Sequence, residues 1–171
     1  MLAEFKKIKC FVFDVDGVLT NGNLLVMPGG LMARAMNIKD GYAMQLAIKK
    51  GYQVWVISGG NSEEVKARLN NLGITEVHMK VGDKLSLLNE LSILNTVSLD
   101  EMIYMGDDMP DYEAMKAVGI AACPADACFD IKQISTYFST YKGGEGCARD
   151  VIEKVLKLND HWDTIDHIKA Q

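Results

Sequence analysis

Two aspartates, Asp14 and Asp16, stand one residue apart where a short apolar run, Phe11-Val12-Phe13, ends and Gly17-Val18-Leu19-Thr20 begins. Residues i and i+2 of a strand share a face. A chain that loosens into a loop at Asp14 can therefore bring both carboxylates to one point at the strand's C-terminal edge. That edge is where open α/β sheets bind ligands. Paired carboxylates there can hold a hard cation, attack a phosphorus atom, or carry protons. Three further features bear chemistry: Ser58-Gly59, Lys84, and Gly106-Asp107-Asp108-Met109-Pro110-Asp111. The combined set of carboxylates, hydroxyl and ammonium suits phosphoryl transfer. Carboxylates hold Mg²⁺, Lys and Ser with backbone N–H groups take phosphoryl oxygens, and one carboxylate can serve as nucleophile, giving an aspartyl phosphate.

Each feature taken singly has an ordinary reading. Asp-x-Asp-Gly opens a calcium-binding EF-hand loop, but Leu19 and Leu25 occupy the sixth and twelfth positions, where that loop needs Gly and Glu. Gly-Asp-Asp favours a turn, and a lone lysine is usually a solvated charge. Their joint occurrence, in this order, is poorly explained by chance.

The elements that must position them alternate. Strands are expected over 9–14, 53–57, 75–79, 101–105, 119–123 and 135–139. Helices are expected over 40–50, 61–72, 83–94, 110–118, 126–133 and 145–158. Asn61 suits the start of the second helix, with Glu64 three residues on, and Pro110 suits a first helical turn. Leu85, Leu88 and Leu91 are expected to face inward. Such alternation implies right-handed crossovers and a parallel sheet, placing Asp14, Ser58, Lys84 and Asp107 at one edge. One stretch breaks the rhythm: residues 23–27, Pro28-Gly29-Gly30 and 31–37 read as a β-hairpin beside the proposed site. The fold class expected is a Rossmann-like α/β three-layer sandwich with a central parallel sheet and a β-hairpin flap, in a single domain over 1–171.

The chain of 171 residues, 49% hydrophobic and 24% charged, is ordinary for a globular protein. A net charge of −5 with scattered Lys and Arg argues against a nucleic-acid partner. The run from Cys10 to Phe13 is far too short to span a membrane, and no leader-like apolar run follows the charged start. Cys10, Cys123, Cys128 and Cys147 form no Cys-x-x-Cys pair, which reads as reduced thiols in a cytoplasmic protein. His78, His161 and His167 are too dispersed to suggest a ligand cluster.

Asp14-x-Asp16-Gly17-Val18, Ser58-Gly59, Lys84 and Gly106-Asp107-Asp108-x-x-Asp111 resemble, in order, the four motifs of the haloacid dehalogenase superfamily of phosphatases. The resemblance implies that Asp14 is the nucleophile and a metal ligand. It makes Asp16 the general acid/base, with its backbone carbonyl a further Mg²⁺ ligand, and has Ser58 and Lys84 hold the phosphoryl group. Asp107 ligates Mg²⁺, with Asp111 and Asp108 in support. The gaps from Thr20 to Ser58 and from Ser58 to Lys84 hold no more than the hairpin, two helices and two strands, so no cap domain fits. Over nearly the whole chain the sequence is similar to the capless, tetrameric members acting on 3-deoxy-D-manno-octulosonate 8-phosphate in lipopolysaccharide precursor synthesis. The carrying residues are the first motif, the hairpin, Asn37-Ile38-Lys39-Asp40-Gly41, Arg68 and Gly143-Gly-Glu-Gly-x-Ala-Arg149. That similarity implies substrate contacts from 37–41, Gly59 and Arg68, with Arg68 reaching a neighbouring subunit's site of a homotetramer. Without it, Arg68 reads as a helix charge paired with Glu64. The glycines of 143–146 read either as an approach to the last helix or as a hinge for a tail over the site. Two positions depart from the pattern. Gly60 stands where many members carry arginine, and Gln45 replaces a second arginine. A phosphatase of 9-phosphorylated nonulosonates, which are sialic-acid-type sugars, is therefore the alternative. A non-catalytic regulatory subunit that binds sugar phosphates is a third reading.

Overall fold

In a computed structural model describing residues 2–162, β1 (Cys10–Phe13) is apolar and buried at every position, as a central strand covered on both faces must be. It pairs in parallel with β4 (Gln53–Ile57) on one side and β6 (Met102–Met105) on the other. Beyond them lie β5 (Glu76–His78), β7 (Ile120–Cys123) and β8 (Tyr137–Phe138), giving the parallel order β5-β4-β1-β6-β7-β8. The chain moves outward from β1 in one direction through β4 and β5, then crosses back to β6. The topological switch point thus falls between β1 and β6, where such sheets open a ligand crevice.

The period-two alternation of the strands divides the core. Phe11, Phe13, Val54, Val56, Ile103 and Met105 face one cluster. It is covered by α1 (Leu2–Lys7), α2 (Ile38–Lys49), α3 (Glu63–Asn71) and α7 (Cys147–Leu158). Cys10, Val12, Trp55, Ile57, Met102 and Tyr104 face the other. That side is covered by α4 (Lys84–Leu94), α5 (Tyr112–Ala117) and α6 (Phe129–Ile134). The three-layer α/β architecture expected from the sequence is present. Among the described residues nothing resembling a cap interrupts it, and no helix is long and apolar enough to cross a membrane.

Boundaries shift for identifiable reasons. Ser62, not Asn61, caps α3, its hydroxyl accepting from Val65 N–H at 3.3 Å. The helix expected over 145–158 starts at Cys147 because Gly146 has φ +110°, a conformation that cannot continue into a right-handed turn. The helix expected over 110–118 begins as a 3₁₀ turn, Met109–Asp111. Leu88 and Leu91 are buried as expected, whereas Leu85 is only half-buried. Helix α1 was not expected; six residues show too little apolar periodicity to announce it. The hairpin is β2 (Leu25–Val26) against β3 (Met32–Ala33), antiparallel, turning at Gly29 and Gly30 with φ near +80° (+83° and +82°). Of the three histidines, His167 lies outside the described residues.

Candidate active site

Asp14 follows β1 directly, and its N–H still donates to Met105 C=O of β6 at 3.1 Å. Its side chain is held at the switch point and is buried. After it the chain makes one wide turn, Val15–Leu19, in which Gly17 has φ +93°. A Cβ on Gly17 would lie 2.0 Å from Asp107 Oδ2, so this motif glycine exists to let Asp107 approach. Gly106 has the same task for Asp111, whose Cβ would stand 2.4 Å from a Cβ there.

Lys84 is the first residue of α4, placed by Asp83, which caps the helix by accepting from Ser86 N–H at 2.9 Å. Its buried ammonium lies 2.6 Å from Asp111 Oδ1 and 3.0 Å from Asp14 Oδ1. The first contact is a hydrogen bond. The second is an ion pair that leaves Asp14 Oδ1 without a well-directed donor. Tyr104 of β6 donates its hydroxyl to Asp111 Oδ1 at 2.9 Å. Burial opposes the charged form of Lys84, but the charges of Asp111 and Asp14 outweigh it and raise the ammonium's pKa.

Three carboxylates against one cation leave the site short of positive charge. Burial, then the charge of Asp111, pushes Asp14 up to about 6 despite Lys84. Burial, then Asp14 and Asp111, pushes Asp107 up to about 7. Asp14 Oδ1, Asp107 Oδ1 and Asp111 Oδ2 are buried without hydrogen-bond partners. One carboxylate oxygen from each of Asp14, Asp107 and Asp111 lies within 4.8 Å of the others. Hard oxygen donors, orphaned and converging, are what a small dication requires, and these residues fit Mg²⁺.

The remaining expected residues divide. Ser58 is buried beyond β4, its Oγ accepting from Gly60 N–H at 3.1 Å, with Gly59 exposed beside it. Asp16 does not join the cluster with its carboxylate, so any role as metal ligand falls to its backbone carbonyl. Its two oxygens instead accept from Arg34 Nε at 2.7 Å and Nη2 at 3.0 Å. Arg34, just past β3, was missed by sequence reasoning; the available signal was one arginine in the apolar stretch Met32-Ala33-Arg34-Ala35-Met36. Asp108 is exposed and accepts from Met109 N–H at 2.8 Å, turned away from the cluster.

The segment 37–41 is built into the frame more than into the cavity. Asn37 caps α2, accepting from Lys39 N–H at 2.9 Å, and donates to Gly144 C=O at 3.2 Å. Buried Asp40 accepts from Arg149 N–H in the first turn of α7 at 2.7 Å, and burial pushes it up to about 6. Gly41 is buried, while Ile38 and Lys39 are exposed. The glycine segment is not a loose hinge. Gly144 N–H donates to Val18 C=O at 2.9 Å, and a Cβ on Gly143 would lie 2.0 Å from Gly17 C=O. It backs the turn that follows Asp14. A tail closing over the site would belong to residues 163–171, outside those described. Arg68 is half-buried and makes no ion pair among the described residues; Glu64 turns to the Ser62 hydroxyl, 2.9 Å away. Arg68 and Arg34 line a cleft of about 250 Å³ between the hairpin and α3, with Met32, Met36 and Val65. A larger cleft of about 540 Å³ beside α7 touches none of the clustered aspartates, so size does not mark the reacting centre.

No family model matches the chain. It is 31% identical over 153 residues to 3-deoxy-D-manno-octulosonate 8-phosphate phosphatase KdsC of Yersinia pestis, covering 90% of this chain and 82% of that one. Among solved structures, the phosphatase of that name from Moraxella catarrhalis, in complex with magnesium ion, phosphate ion and KDO, superposes with a TM-score of 0.90 at 32% identity. The match covers 94% of this chain and 92% of that one. A putative haloacid dehalogenase superfamily (subfamily III A) hydrolase from Legionella pneumophila gives 0.90 at 30% identity, over 93% and 87%. A wide turn after Asp14, a buried lysine and a carboxylate cluster at the β1–β6 switch point, on a scaffold shared over most of its length with these proteins, make this chain a member of the KdsC family of haloacid dehalogenase-like phosphatases.

Proposed function

We propose that the protein is a Mg²⁺-dependent phosphatase that hydrolyses 3-deoxy-D-manno-octulosonate 8-phosphate to the free sugar acid and phosphate, in lipopolysaccharide precursor synthesis in the cytoplasm. The observation that carries this reading is the convergence of Asp14, Lys84, Asp107 and Asp111 at the sheet's switch point. Bound Mg²⁺, held by Asp14, Asp107, Asp111 and the Asp16 carbonyl, supplies charge neutralisation for the phosphoryl oxygens. Asp14 attacks phosphorus while Lys84 and the Ser58 hydroxyl hold the phosphoryl oxygens. Asp16 protonates the leaving alcohol, then takes a proton from the water that hydrolyses the aspartyl phosphate. Since Asp16 gives up one proton and takes one back, Arg34 yields one of its two oxygens during the cycle.

A single domain spans 1–171 and assembles as a homotetramer. The hairpin supports this by exposing Leu25 (66%) and Val26 (70%), an apolar surface that association would cover. Arg68 reaches a neighbour's site, with Asn37, Ile38, Lys39, Asp40, Gly41 and Gly59 shaping the substrate's surroundings. A fully active monomer would remove Arg68 from that role. The second reading, a phosphatase of 9-phosphorylated nonulosonates, is favoured by the bare Gly60 and by Gln45. Steady-state phosphate release from both keto-acid phosphates, with and without Mg²⁺, tests the assignment. A kcat/KM preference for the eight-carbon substrate above about tenfold, ~1.4 kcal/mol, is expected. A preference for the nine-carbon one would overturn it.

A further inference from the structure

We propose that Arg34 is a specificity-determining residue that reads the carboxylate of the leaving group. The inference rests on the keto-acid reading above and names the residue that makes it selective.

The two site cations are divided between two tasks. Lys84 is bound to Asp14 and Asp111, on the side where phosphorus is attacked. Arg34 is bound to Asp16, the residue that must reach the departing oxygen. Its guanidinium therefore faces the organic half of the substrate, not the phosphoryl half. A guanidinium carries five N–H donors in a fixed plane. Nε and Nη2 each spend one on Asp16, and Nη1 spends one on Met32 C=O at 3.1 Å. Two N–H groups remain on a side chain only 5% exposed. A nearly enclosed cation with unspent donors is built to receive an acceptor, and a carboxylate is the planar partner that fits two of them.

The surroundings agree. Arg34 lines the cleft between the hairpin and α3, whose walls include Met32, Met36 and Val65. These apolar walls suit the carbon skeleton of a sugar; the cleft's polar lining is Ser62, Glu64 and Arg68, and of its two arginines Arg34 is the one bound to Asp16. Gly60 completes the geometry: a Cβ there would lie 2.8 Å from Asp16 Oδ2 and 3.3 Å from Arg34 Nη2. The bare position 60 leaves room for the Asp16–Arg34 pair as it stands. A cation anchored at 60 would occupy the same ground, so Arg34 and an arginine at 60 are alternatives.

The test compares kcat/KM for the eight-carbon keto-acid phosphate and for ribose 5-phosphate, which lacks a carboxylate. The wild type is measured beside Arg34→Ala, Arg34→Lys and the double variant Arg34→Ala/Gly60→Arg, all with Mg²⁺. Arg34→Ala is expected to lower the ratio of the two values by about tenfold or more, chiefly through KM for the keto-acid phosphate. Arg34→Lys, keeping charge without the planar fork, should recover part of the ratio. The double variant should recover more than Arg34→Ala does alone. An unchanged ratio in Arg34→Ala, even with both substrates slowed equally, overturns the inference and leaves Arg34 as a holder of Asp16. A wild type that turns over ribose 5-phosphate but not the keto-acid phosphate overturns the proposed function and the inference together, so the two failures are distinct.

Discussion

Two regions of this molecule bury aspartate in the same way and to different ends. At the β1–β6 switch point, Asp14, Asp107 and Asp111 each carry an orphaned oxygen. At the seam of α2 and α7, Asp40 is just as buried, also keeps an orphaned oxygen, Oδ2, and is also pushed up to about 6. The difference is company. Around Asp14 stand two more carboxylates and Lys84. Asp40 has the backbone N–H of Arg149, in the first turn of α7, as its hydrogen-bond partner. Burial with a raised pKa therefore does not identify a reacting group. Convergence of like charges does, because only a ligand or a reaction compensates the cost of holding them together.

The sharpest way to break this comparison is to neutralise one member of each region. Asp14→Asn should lower kcat by about 10⁴-fold or more, since the proposed nucleophile is lost. The fold should persist, and its metal-free melting temperature at pH 7.5 should rise as one of the crowded charges goes. Asp40→Asn keeps an acceptor for Arg149 N–H and should stay within about tenfold of wild-type turnover. If the two substitutions cost the same in kcat, the distinction fails. Lys84→Met comes next. It strands Asp14 and Asp111 in a buried site, and removing one partner of such a group costs about 3–5 kcal/mol. Calorimetry of the metal-free variant at pH 7.5 should show a large drop in melting temperature. An unchanged one would mean that the carboxylates there are already protonated.

The same contrast explains what the sequence could disclose. Asp14, Ser58, Lys84 and Asp107 were legible because each follows a strand or opens a helix, and a parallel sheet brings such positions to one edge whatever the side-chain details. The glycines Gly17 and Gly106 were legible as motif residues, but their reason, room for Asp107 and Asp111, needs coordinates. Asp40 is legible only as part of the segment 37–41; its bond to Arg149 spans 109 positions of sequence and leaves no local pattern. Arg34 was invisible for a related reason. The hairpin strands β2 and β3 are two residues each, too short for alternation to say which way a side chain points.

Truncation at the seam probes a smaller effect. Asp40→Ala leaves the Arg149 N–H without its acceptor and loosens the packing of α7 behind the turn that follows Asp14. The expected loss is about 1–3 kcal/mol in unfolding free energy, measured by denaturant titration. Asp40→Asn should lose less. Equal losses would show that the acceptor is not what matters at this position.

The smallest effect separates the two regions by their protons. Asp14, Asp40 and Asp107 titrate in the folded protein at about 6, about 6 and about 7, against 3.8 for an unperturbed aspartate. Each raised value means that the folded state holds a proton after the unfolded state has released it. The slope of unfolding free energy with pH follows the unfolded-minus-folded proton count, which is negative here. Stability of the metal-free protein should therefore decline as pH rises from about 4 to about 7. Mg²⁺ replaces protons at Asp14 and Asp107 but not at Asp40. Saturating Mg²⁺ should flatten most of the decline and raise the melting temperature more at pH 7.5 than at pH 5. Asp40→Asn should remove the remainder. A slope untouched by Mg²⁺ would mean that the clustered aspartates are not the ion's ligands, and the two regions would then differ in geometry but not in kind.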